Sequence, residues 1–194
     1  MKYRRTIPLL LAFAATAATA QTTQTTAPAA KPAAPAESLS YHRVDLKPVE
    51  GSGEPLPYTI EIPRDWQLRQ SKDAPGLWLG PADAKIPDDP RLVWVRLNPK
   101  PMGAPEEVVA SIKASDEKAP WSAPRVEVKE LAGVRGVLVR MDSAEGTEAR
   151  STLALKVPMD PYGLDFLISA ARPEFEKRLP EYERILLSVR AVKK

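Results

Sequence analysis

An α+β domain, an antiparallel β-sheet flanked by helices, is the fold class this chain predicts, and three observations carry the prediction. Several short segments alternate apolar and polar residues with a period of two. The links between the later segments are short, Ala132-Gly133, 142–147 and 158–161, which makes neighbours antiparallel. Two further segments repeat apolar residues at three and four, one in mid-chain and one at the C-terminus, so helices are inserted rather than alternating strictly with strands.

The first strand expected is 57–62, where Tyr58, Ile60 and Ile62 alternate with Thr59 and Glu61. Pro63 to Trp66 turns the chain, and 67–70 with 76–79 reads as a hairpin around a polar turn. After a proline-rich loop over 81–90, Arg91 to Leu97 is apolar on both faces, which suits a central strand. A helix is expected from Pro105 to about Ala114, with proline at its first position, Glu106 and Glu107 opposing the dipole, and Val108, Val109 and Ile112 inward. Four strands follow, over 125–131, 134–141, 148–157 and 162–171. Ser151, Leu153, Leu155 and Val157 share one face, as do Leu164, Phe166, Ile168 and Ala170. A helix from Pro173, bent or restarted at Pro180, closes the chain through Phe175, Leu179, Tyr182, Leu186 and Val189.

Residues 1–20 read as a cleavable signal peptide. Lys2, Arg4 and Arg5 precede an apolar run from Ile7 to Ala20 that is too short to span a bilayer, and Ala18-Thr19-Ala20 is a small-x-small cleavage site. The protein is therefore expected to be exported, periplasmic or secreted, without a transmembrane segment after cleavage. Residues 21–40 are rich in Thr, Ala and Pro and read as a disordered linker, leaving 41–194 as one domain. The signal carries three of the 28 basic residues and none of the 25 acidic ones, so the mature chain is neutral and nucleic acid is not the expected partner. With no cysteine there are no disulfides and no lipid attachment after the signal.

Three motifs resemble a known family. Tyr58-Thr59-Ile60-Glu61-Ile62-Pro63-Arg64-Asp65-Trp66 is similar to its strand, proline, x, glycine, tryptophan motif, with Asp65 where glycine is usual. Leu131 to Gly136 resembles its mid-sheet hairpin, and Leu179 to Arg190 its closing helix. The family is that of the PsbP-like extrinsic proteins of photosystem II, the Ran-binding Mog protein and envelope proteins such as DcrB, and the resemblance covers about 58–192. It implies an α/β/α sandwich that acts by binding rather than catalysis, and it transfers no functional residue.

The residues by themselves offer no catalytic constellation. His42, the only histidine, sits at the linker edge, and without cysteine neither a zinc site nor a Cys-His nucleophile can be built. Asp83, Asp88 and Asp89 in one loop, and Asp142, Glu145 and Glu148 around Gly146, are acidic turns without EF-hand spacing. No cofactor, metal or catalytic residue is expected. Of Trp66, Trp78, Trp94 and Trp121, the first three read as core anchors, Trp66 closing one end of the sheet. Trp121, in a loop between Pro120 and Pro124, is the candidate partner contact. The leading expectation is a non-enzymatic binding or assembly module of the cell envelope whose partner is an unidentified envelope protein or glycan. Its rival is a carboxylate-dependent hydrolase, for which Asp65, Asp83, Asp142 and Asp165 are the carboxylates to test.

Overall fold

A computed structural model describes residues 40–48, 55–98, 100–116, 121–143 and 149–192. The expected signal peptide, and the linker apart from Ser40, lie outside these residues. The elements are β1 (Tyr41–Asp45), β2 (Tyr58–Pro63), β3 (Trp66–Gln70), β4 (Leu77–Pro81), β5 (Val93–Asn98), α1 (Pro105–Asp116), β6 (Trp121–Leu131), β7 (Val134–Ser143), β8 (Arg150–Pro158), β9 (Gly163–Ala171), α2 (Arg172–Leu187) and β10 (Arg190–Ala191). They form a seven-stranded antiparallel sheet in the order β3-β4-β5-β9-β8-β7-β6 and a three-stranded one in the order β1-β2-β10. The α+β expectation holds, but the described residues form two sheets where one was expected.

One face of the large sheet is dry. Leu153, Leu155 and Val157 of β8, and Leu164, Phe166, Ile168 and Ala170 of β9, are buried there with Val93 and Val95 of β5. The alternation that predicted these strands is what aims those side chains one way. Phe175, Tyr182, Ile185 and Leu186 of α2 join the same cluster, as do Tyr58, Ile60 and Ile62 of the small sheet. Tyr182 donates its hydroxyl proton to the Pro90 carbonyl at 2.9 Å, and burial pushes its pKa up to about 12. The helix runs unbroken through Pro180, without the restart anticipated there. Trp66 is buried in this core at the start of the edge strand β3, in keeping with its reading as an anchor.

The small sheet clasps the end of α2. Arg43 donates to the Ser188 carbonyl at 3.2 Å and to Thr59 Oγ1 at 2.9 Å, placing a cation where the helix dipole is negative. The Glu61 amide donates to Ser188 Oγ at 2.7 Å, and the Arg184 guanidinium lies 3.7 Å from the Tyr41 ring centroid. His42, just past the expected linker, sits in β1 opposite Ile62, with Nδ1 buried and without a hydrogen-bond partner among the described residues.

Trp121 needs a similar correction, because its backbone begins β6 opposite Ser143 instead of lying in a loop. Pro124 is tolerated in that strand because the register shifts between Ser122 and Arg125, so no ladder donor is required of it. The Trp121 side chain lies outside the described part of the structure. At the far end of β6 the chain reverses through Ala132-Gly133, and Gly133 takes a φ of 74° that favours glycine. Among the described residues no helix is long and apolar enough to cross a membrane.

Candidate functional site

The second face of the large sheet is only partly covered. Val108, Val109 and Ile112 of α1 pack on Val126, Val137 and Val139, at the β6–β7 side. At the opposite side Trp78 forms a small cluster with Ala84 and Leu92. Under and between these two covers the register lays out adjacent rows of side chains across β8, β9 and β5, with buried Ala154 and half-buried Leu167 joining the α1 cluster and Trp94 the Trp78 cluster. One is Ala154, Leu167 and Trp94; the next is Lys156, Asp165 and Arg96; a third begins with Thr152 and Ser169. Leu167, Trp94, Arg96, Thr152 and Ser169 are half-buried, so this stretch is reachable from solvent.

Asp165 is the unexpected residue. The alternation that drives Leu164 and Phe166 inward marks Asp165 as solvated, yet it is fully buried. Both carboxylate oxygens are engaged: Lys156 Nζ donates to Oδ1 at 3.0 Å and Arg96 Nε to Oδ2 at 3.4 Å. A buried carboxylate is tolerated only when paired in this manner. Its consequence here is positional, since one sunken anion holds two cations at the surface of the sheet. The expectation that 91–97 would be apolar on both faces fails at Arg96, which stays 43% exposed.

The aromatic part is equally fixed. Trp78 and Trp94 stack with centroids 5.4 Å apart and planes within 6°. Their indole N–H groups donate to the Ala74 and Pro75 carbonyls, both at 2.9 Å. Gly76, with a φ of 121°, lets the chain pass beneath: a Cβ there would come within 2.4 Å of Trp94 Nε1. Arg96 lies over Trp94, 4.7 Å from the ring centroid. Its guanidinium is thus held by Asp165 and by the indole, while its two terminal nitrogens have no hydrogen-bond partner among the described residues.

Beside this row a cavity of about 370 Å³ opens between α1 and the 98–103 segment. Asn98, Lys100, Met102, Glu107, Ser111 and Lys156 line it. Pro101, Val108 and Ile112 complete the wall, which therefore offers a ligand apolar contacts as well as charged and hydrogen-bonding groups.

The other candidates do not join this face. Asp142 accepts from Ser151 Oγ at 2.5 Å on the opposite side of the sheet, so it and Asp165 do not converge. Asp83 and Asp89 both contact Arg91, at 3.4 and 2.7 Å, and that guanidinium holds the Asp89 carboxyl below its ordinary range. Asp65 is exposed in the turn between β2 and β3. Glu145 and Glu148 lie outside the described residues, and among the described ones no three His, Cys, Asp or Glu side chains gather as a metal site would need. The sequence reading missed Arg96, Lys156 and Asp165 as a group. The available signal was a charged residue at the same position in three strands, visible only once their register is known.

No protein family model matches this chain, and no curated protein does. Several solved structures are similar to it, among them two whose folds match over most of its length. The cyanobacterial PsbP protein CyanoP from Synechocystis sp. PCC 6803 superposes with a TM-score of 0.50 at 13% identity, covering 85% of this chain and 99% of that one. LpqN of Mycobacterium tuberculosis, described as involved in cell envelope biogenesis, gives a TM-score of 0.52 at 16% identity, covering 77% of this chain and 90% of that one. At such identities the likeness is one of fold, and the fold of this chain is PsbP-like.

Proposed function

We propose that this protein is an exported, non-enzymatic binding or assembly module of the cell envelope, which takes its partner on the uncovered part of the α1-side face. The observation that carries the reading is the pinned Arg96: a guanidinium fixed by a buried carboxylate and an indole, with its terminal donors unused, is preorganised for a partner's acceptor. Around it stand half-buried Trp94 and Leu167 and the hydroxyls of Thr152 and Ser169, an apolar centre with a polar rim. The envelope setting is supported by the signal-like N-terminus and by the shared fold of LpqN. The same geometry speaks against the hydrolase reading, because Asp165, the one carboxylate on this face with an unusual environment, has both oxygens taken by cations and offers no free acid or base.

The test is co-purification from the native envelope of the producing cell, comparing the natural chain with Arg96→Gln and Trp94→Ala. Partners retained by the natural chain and lost from both folded variants are the expected result. Equal retention by all three would remove the partner from this face. A hydrolase screen with Asp165→Asn alongside decides the rival, since turnover abolished by that change with folding intact would make the protein an enzyme.

A further inference from the structure

The edge of the large sheet at β6 carries an inference independent of the α1-side face. β6 is eleven residues long and, among the described residues, pairs only with β7. The two-residue turn makes Leu131↔Val134 a hydrogen-bonded pair, and such pairs recur at every second residue. Lys129, Glu127 and Arg125 therefore bond to β7. Val126, Val128 and Glu130 aim their N–H and C=O groups outward, and none of these makes a backbone hydrogen bond to another element among the described residues. Val128, at the middle of this row, is one of two exposed large hydrophobic side chains among the described residues.

Such an edge is normally blunted by charge. Here the charges are arranged so that a copy of the same edge satisfies them. Antiparallel pairing of β6 with itself about a twofold axis at Val128 sets Val128 opposite Val128, Glu127 opposite Lys129 and Lys129 opposite Glu127. Glu127 and Lys129 already form an ion pair within the chain, so the two copies would build an alternating quartet. This register also brings the outward groups of residues 126, 128 and 130 into ladder with those of 130, 128 and 126 of the second copy, with each sheet face continuing across the junction. We propose that this protein forms a twofold dimer through β6, joining the two large sheets into one, and that Glu127 and Lys129 set its register.

The experiment is sedimentation equilibrium on the purified chain and on variants whose fold is checked by circular dichroism. The natural chain is expected to be a dimer. Glu127→Lys and Lys129→Glu each create two like-charge pairs across the axis and should each raise the dimer dissociation constant by about tenfold or more. The double exchange Glu127→Lys with Lys129→Glu restores complementarity and should restore the dimer. Val128→Pro removes a donor that β7 does not use, so it should yield a folded monomer. A monomeric natural chain, or a dimer indifferent to the single reversals, overturns the proposal.

Discussion

The two faces of the large sheet are built from the same strands to different specifications. On the α2 side nearly every central position is Leu, Ile, Val or Phe at essentially zero exposure, closed by a helix and a second sheet. On the α1 side a 12-residue helix covers one end, and the middle rows hold Trp94, Arg96, Asp165, Lys156, Thr152 and Ser169. Hydrophobic burial needs only one filled face to hold a domain of this size. The second face is thereby free to carry polar groups whose placement serves something other than stability, and its buried carboxylate shows that this freedom is used at some expense.

Substitutions on the two faces should separate accordingly. The largest effects belong to the α2 side: Phe166→Ala and Trp66→Ala each remove a large buried ring and should lower stability by about 3–5 kcal/mol, read by denaturant titration. An unchanged unfolding midpoint for either would place that ring outside the core. Between the faces in severity is Gly76→Ala, which strains a positive φ and pushes the Trp94 indole. It should cost more than about 1 kcal/mol and also weaken partner retention, so a variant equally stable and equally retentive would show that the indole position is immaterial.

Arg96→Gln should cost about 1–3 kcal/mol, because Lys156 still holds Asp165 Oδ1 while Oδ2 loses its donor, and it should remove most of the retained partner. A large stability loss would make the Arg96–Asp165 pair structural. The smallest effect is a pH dependence on Asp89, whose folded pKa is depressed chiefly by its hydrogen bond to Arg91. That contribution is complete above the unfolded carboxylate pKa of about 4 and fades as pH falls through the lower folded value. The natural chain should therefore lose more stability on acidification than Asp89→Asn, and parallel curves would contradict the assignment.

What the sequence reveals follows the same division. Leu164, Phe166, Ile168 and Ala170 announce both a strand and the face it buries, since alternation is a local property. The strand Tyr41–Asp45 is illegible, because its residues are half-buried or exposed and its order depends on pairing with β2. Pro120 and Pro124 disguise the start of β6 as a loop, for a bulge is invisible until the partner strand is known. The Arg96–Asp165 contact spans 69 residues. No spacing rule reaches that far, so the group emerges only from the register.

The claim that the α1-side face is the docking face is tested most directly by photo-crosslinking in the producing cell. A photoreactive residue is placed in turn at Ser169, on the α1 side, and at Lys177, exposed on α2. Adducts to a discrete envelope component from position 169 and none from position 177 are the predicted result. Adducts from 177 with none from 169 would contradict the account and move the partner to the face that is assigned here to stability alone.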